Sequence, residues 1–186
     1  YATLGVSHVN SSFYLRTDLW LGQQGPDAKA GVLQNLFHKM TPASEVNGWE
    51  NQTANSSFIN GEFKFIKINR NKHFEMSPWI MGRYGGLIKD VEIGLKLGAT
   101  FGFLDLFVNG SMVANFFNSI LEGPNNHESV YVIDSSQMKD FYYKADAGMH
   151  FIFSGFRLTL RANFQGPQFE GAKHHTYGTL ETAFFF

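Results

Sequence analysis

The chain has 186 residues, no cysteine and a formal net charge of −1. That length fits one domain or two small ones, and the balanced charge argues against a nucleic-acid field. Without cysteine there are no disulfides, thiolate zinc sites, iron–sulfur clusters or cysteine nucleophiles. Aromatics are abundant (20 Phe, 7 Tyr, 3 Trp), yet mean hydropathy is only −0.18. No apolar stretch reaches the roughly 18 residues of a membrane-spanning helix. Apolar and polar residues must therefore be interleaved.

In chain order, the alternation of period two predicts nine strands, near 1–8, 11–22, 57–70, 74–84, 87–98, 103–117, 140–153, 156–165 and 176–186. Between 13 and 22, Phe13, Leu15, Thr17, Leu19 and Leu21 share one face, and Tyr14, Arg16, Asp18 and Trp20 the other. Val91, Ile93, Leu95 and Leu97 alternate with Glu92, Gly94 and Lys96. Tyr143, Ala145, Ala147, Met149 and Phe151 alternate with Lys144, Asp146, Gly148 and His150. Leu180, Thr182, Phe184 and the terminal Phe186 share a face, like the C-terminal signal of outer-membrane barrels. A soluble β-sandwich would turn the polar faces to water, whereas a membrane barrel turns them into a lumen. Period alone leaves both open.

Connection lengths favour the barrel. Long stretches (22–57, 118–139, 166–175) alternate with tight turns near Val9-Asn10, Arg70–His73, Thr100–Gly102 and Ser154-Gly155, with Gly85-Gly86 the short exception. Long external loops and short periplasmic turns are the habit of such barrels. Single-chain bacterial barrels usually hold an even number of strands. An odd nine, with the abrupt opening at Tyr1, leads us to expect further strands upstream.

The connection of about 23–56 carries the chain's one helical period. Pro26-Asp27 reads as the start, with Asp27 as cap, and Thr41-Pro42 as the stop. Leu33, Phe37 and Met40 form a stripe, flanked by Val32 and Leu36. Gln34 and His38 stand four apart and share a face. A solvated surface histidine would show the same spacing. Gly48-Trp49 reads as a turn and an interfacial aromatic. His174-His175 reads as a solvated pair, and Arg16, Lys96, Arg157 and Arg161 as lumenal ion-pair partners of residues such as Asp18, Glu92 and Asp146.

Gly25-Pro26, Gln34, His38 and Gly48-Trp49-Glu50-Asn51-Gln52 together resemble the signature region of outer-membrane lipid A 3′-O-deacylases, the LpxR family. Tyr1-Ala2 with Leu4-Gly5 resembles the start of that family's fourth strand. Phe169-Glu170-Gly171 and Tyr177-Gly178-Thr179-Leu180 resemble its last loop and strand. The resemblance implies an all-β fold: an antiparallel transmembrane β-barrel of twelve strands, nine of them in one domain over 1–186. It implies a bacterial outer-membrane location, lipid A or lipopolysaccharide as partner, a monomer, and no nucleic acid.

The implied activity is a calcium-dependent carboxylic ester hydrolase that removes the 3′-linked acyloxyacyl group. His38 would be the general base and Gln34 an orienting residue. Trp49, Gln52 and Trp20 would touch substrate. The ligands of the implied Ca2+ would lie upstream of this chain. One departure stands out: Ala54-Asn55-Ser56 replaces an Asn-Glu-Pro-like stretch, so a carboxylate expected there is missing. A non-enzymatic barrel, channel or adhesin, is the competing reading, and a soluble sandwich the third.

Overall fold

The computed structural model describes residues 1–40, 52–124, 129 and 132–185, with the side chains of 37 and 38 excepted. Its strands are β1 (Ala2–Val9), β2 (Phe13–Gln24), β3 (Ser56–Lys67), β4 (Phe74–Gly85), β5 (Ile88–Phe101), β6 (Leu104–Asn118), β7 (Phe141–Phe153), β8 (Phe156–Gln165) and β9 (His175–Phe184). The helices are α1 (Ala30–Met40) and the single turn α2 (Ser119–Glu122). The strands form one nine-stranded antiparallel sheet in sequence order, β1 to β9. No described helix is long and apolar enough to cross a membrane, which does not bear on strands that cross one.

The sheet is strongly curled. One cavity of about 510 Å³ is lined from every strand: Val9, Tyr14, Lys64, Trp79, Glu92, Phe107, Lys144, Arg161 and Tyr177. Such curling needs little side-chain bulk on the concave side. Gly94 supplies it against Trp79, where a Cβ would sit 2.5 Å from the indole. Gly148 does the same beneath Phe107 and the Leu160 carbonyl.

The two faces invert the soluble rule. The concave side buries Asp18, Asn60, Ser77, Asp90, Glu92 and Thr159. The convex side exposes Leu19, Ile59, Phe63, Ile80, Ile93, Leu97, Val108, Met112 and Leu160. Polar inside and apolar outside is the signature of a barrel wall in lipid, and it removes the soluble sandwich.

Buried charges need partners. Lys96 pairs with Glu75 at 3.0 Å and Lys144 with Glu92 at 2.9 Å. Arg16 holds Asp18, and Arg161 stands 3.6 Å from Asp146. Arg157 faces Glu181 at 3.4 Å. The expected pairing of Arg16 with Asp18 and of Arg161 with Asp146 is what the structure has, whereas Lys96 and Arg157 take Glu75 and Glu181, and Glu92 pairs with Lys144 and Arg83 instead.

One local expectation fails. Asp27 does not cap α1. It lies inside a 3-10 turn, Pro26–Ala28, and its backbone N–H donates to Asn55 Oδ1 at 2.8 Å. Lys29 then adopts a left-handed conformation (φ 52°), and α1 begins only at Ala30.

Candidate active site at the long-loop rim

β2 delivers the chain to Gly25, whose φ of 85° suits glycine. A Cβ there would also meet the backbone of Ala54 at 2.8 Å. The outgoing and returning limbs of the 25–55 connection thus touch at their base. Asn55 joins them through Asp27, and Ser57 Oγ donates to Gln23 Oε1 at 3.2 Å.

The second long connection holds the same base. Ser119 Oγ donates to Gln24 Oε1 at 2.8 Å, and the Ala54 N–H donates to Ser129 Oγ at 2.7 Å. Asn118 caps α2 by accepting from the Ile120 N–H, and Glu122 accepts the Asn118 N–H in return. Above β7 and β8 the loops pair again: Met138 bridges Phe169, and the Glu170 N–H reaches the Gln137 carbonyl. Two hydrogen bonds from Ser136, side chain first, hold the Asp134 carboxyl below the usual carboxylate range.

The short connection at this rim is held by one side chain. Asn60, fully buried, accepts from the Leu87 and Ile88 N–H groups, both at 3.0 Å. The Leu87 carbonyl then accepts from the Ser119 N–H at 2.9 Å. Replacing Asn60 with Leu leaves two buried donors unpaired and should cost about 2–4 kcal/mol. The check is a lower temperature for the gel-mobility shift of the folded barrel.

On this platform stands α1. Positions 34 and 38 lie four apart on its unbroken backbone, hence on one face. Gln34 is half-buried. The stripe predicted to pack is open instead: Val32, Leu33, Leu36 and Met40 are 68%, 66%, 57% and 78% exposed. Ile120 of α2 is exposed too, which widens the apolar surface at this rim.

The remaining predicted residues separate. Trp49 falls outside the described residues, as does the side chain of His38. Gln52, half-buried, lies on the returning limb two residues before Ala54. Trp20 shares the inward parity of Asp18 but stacks on Tyr1, ring centroids 5.7 Å apart. His174 packs on Phe164 and meets Tyr143 through Nδ1 at 3.1 Å, so it is not simply solvated. Among the described residues no group of three or more His, Asp or Glu side chains is placed to hold a metal ion. The described residues alone do not assemble a site for the calcium that the resemblance implies.

Sequence reasoning missed the clamp of Gln24, Asn55, Ser119 and Ser129. Its one signal was Asn55, within the stretch that departs from the family pattern, where the structure assigns it to the loop base.

The family model described as "Outer membrane protein LpxR" matches residues 1–186. No curated protein matches the sequence. Among solved structures, LpxR from Salmonella typhimurium superposes with a TM-score of 0.80 at 16% identity, covering 98% of this chain and 73% of that one. At that identity the likeness is one of fold, whereas the family match spans every residue. The chain belongs to the LpxR family of outer-membrane proteins.

Proposed function

We infer that the protein hydrolyses the ester linking the 3′ acyloxyacyl group to lipid A in the outer leaflet of the outer membrane. The observation that carries this reading is α1: an amphipathic helix that follows the clamped base of the 25–55 connection, with Val32, Leu33, Leu36 and Met40 exposed and position 38 on its length. Lipid A presents its ester at the depth of such a rim. An open stripe of Val32, Leu33, Leu36 and Met40 offers acyl chains a surface they would otherwise find in lipid.

The chemistry asks for a base and for positioning. The His38 imidazole takes a proton from water as the water oxygen adds to the ester carbonyl carbon. The bond between that carbon and the sugar oxygen then breaks, and the proton passes to the departing oxygen. The products are a free acyloxyacyl acid and a sugar hydroxyl. Gln34, one turn earlier, orients the imidazole or the water through its side-chain amide. Gln52 contacts the substrate from the returning limb and Trp20 from the barrel below, with Trp49 as a further contact.

The direct test is the mass of lipid A from cells expressing the protein. A species lighter by one acyloxyacyl unit is expected. Unchanged lipid A would leave the non-enzymatic barrel as the better reading.

A further inference from the structure

The convex wall is not smooth. A crevice of about 620 Å³ opens in it beside the Gly86-Leu87 connection. The pairing register explains its shape. Thr17 lies beside Phe63, Phe63 beside Gly82, and Gly82 beside Val91; one row nearer the rim, Gly61 lies beside Tyr84. Two missing side chains thus leave the floor between Phe63, Tyr84 and Phe116, all three exposed. No atom lies within 4 Å of the place a Cβ on Gly82 would take, and for Gly61 the nearest is the Tyr84 carbonyl at 3.7 Å. The glycines are therefore not there to admit a neighbouring strand or side chain. They leave space on a face turned to lipid.

At the rim end of this crevice stands Lys89. The register slips between Lys89 and Asp90, and Asp90 turns inward to Arg83. Lys89 turns the other way. Its Nζ lies 5.5 Å from the Tyr84 ring and 5.3 Å from the Phe117 ring. Among the described residues it has no carboxylate within ion-pair distance, whereas Lys96, Lys144, Arg16, Arg83 and Arg161 each have one. An apolar furrow ending in an unpaired cation within an aromatic belt complements one kind of molecule, an acyl chain that ends in an anion.

We propose that this crevice seats one phosphate-bearing lipid of the outer leaflet, with an acyl chain over Gly61 and Gly82 and its phosphate at Lys89. None of the described residues of α1 lines it. The seat needs no catalysis and stands apart from the deacylase reading.

The test uses the whole chain in neutral detergent with two probes. One is an ether-linked dialkyl phosphatidic acid, which ester hydrolysis does not consume. The other is the dialkylglycerol of the same chains. Native mass spectrometry counts the bound lipid. One phosphatidic acid should be retained in preference to the glycerol, and excess inorganic phosphate should not displace it. Lys89→Gln should weaken the phosphatidic acid about fivefold and leave the glycerol unchanged. Gly82→Leu, which has open space to enter, should displace both, and Gly61→Val should do the same if the first variant loses its folded gel mobility. Lipid A cleavage and folded gel mobility should stay at wild-type levels in Lys89→Gln. Full retention in the glycine variants, no change in Lys89→Gln, or displacement by phosphate alone would each overturn the seat.

Discussion

In His38→Ala, cleavage of lipid A should fall by about 10²–10⁴-fold, the usual worth of a positioned acid–base group. The barrel should keep its heat-dependent gel mobility, because α1 stands outside the sheet and its apolar stripe buries little. Mass spectrometry of lipid A reads the first quantity and gel electrophoresis the second. The pH profile supplies a sharper test. A general base works in its neutral form, so wild-type kcat/KM should rise with pH as the base loses its proton and then level off. His38→Ala should lose that rising limb along with the rate. Gln34→Ala should keep the limb and lose about tenfold or less, the worth of one orienting hydrogen bond. Wild-type activity in His38→Ala would remove this residue from the chemistry and return α1 to a structural role.

The second large effect is one of stability. Arg83 donates through Nε to Asp90 Oδ1 at 2.8 Å and through Nη2 to Oδ2, and its Nη2 lies 3.8 Å from Glu92. The Asp90 side chain is 1% exposed and that of Arg83 12%. Removing the cation leaves one carboxylate buried and unpaired, with a second partly compensated by Lys144. Arg83→Met should therefore cost about 3–5 kcal/mol. The urea midpoint of barrel unfolding should drop accordingly. Arg83→Met with Asp90→Leu should recover most of the loss, since an apolar pair carries no desolvation debt. If the single variant unfolds like wild type, water reaches Asp90 and the pair is not buried in practice.

Much of the fold was legible because a strand exposes its pattern residue by residue. Val91 to Leu97, or Tyr143 to Phe151, shows its two faces without any knowledge of partners. Which face meets water was not legible in the same way. Glu92 and Lys96 look alike on the outside of a sandwich and on the inside of a barrel. The alternation of long and short connections and the terminal Phe186 pattern separated the two. In α1, Leu33, Phe37 and Met40 gave the period; the expected stop, Thr41-Pro42, lies outside the described residues. The start was misread because the left-handed Lys29 is a backbone choice that leaves no apolar pattern. The loop clamp was invisible for another reason. Ser119 and Gln24 stand 95 positions apart, and Ser129 and Ala54 stand 75 apart. Nothing local in Ser119 announces a partner so distant. The four-residue α2 is too short to show a period at all.

The meander has a consequence for assembly. Each strand pairs only with its neighbours in sequence, so most pairings close short loops and carry little closure entropy. The sheet can grow one hairpin at a time, each hairpin bringing its own lumenal and lipid-facing halves. The rim does not share this freedom. Gln24 and Ala54 take their anchors from Ser119 and Ser129, which lie on the far side of four later strands. The base beneath α1 is therefore complete only after β6 has been laid down, and the helix gains its fixed footing late, on a wall already built.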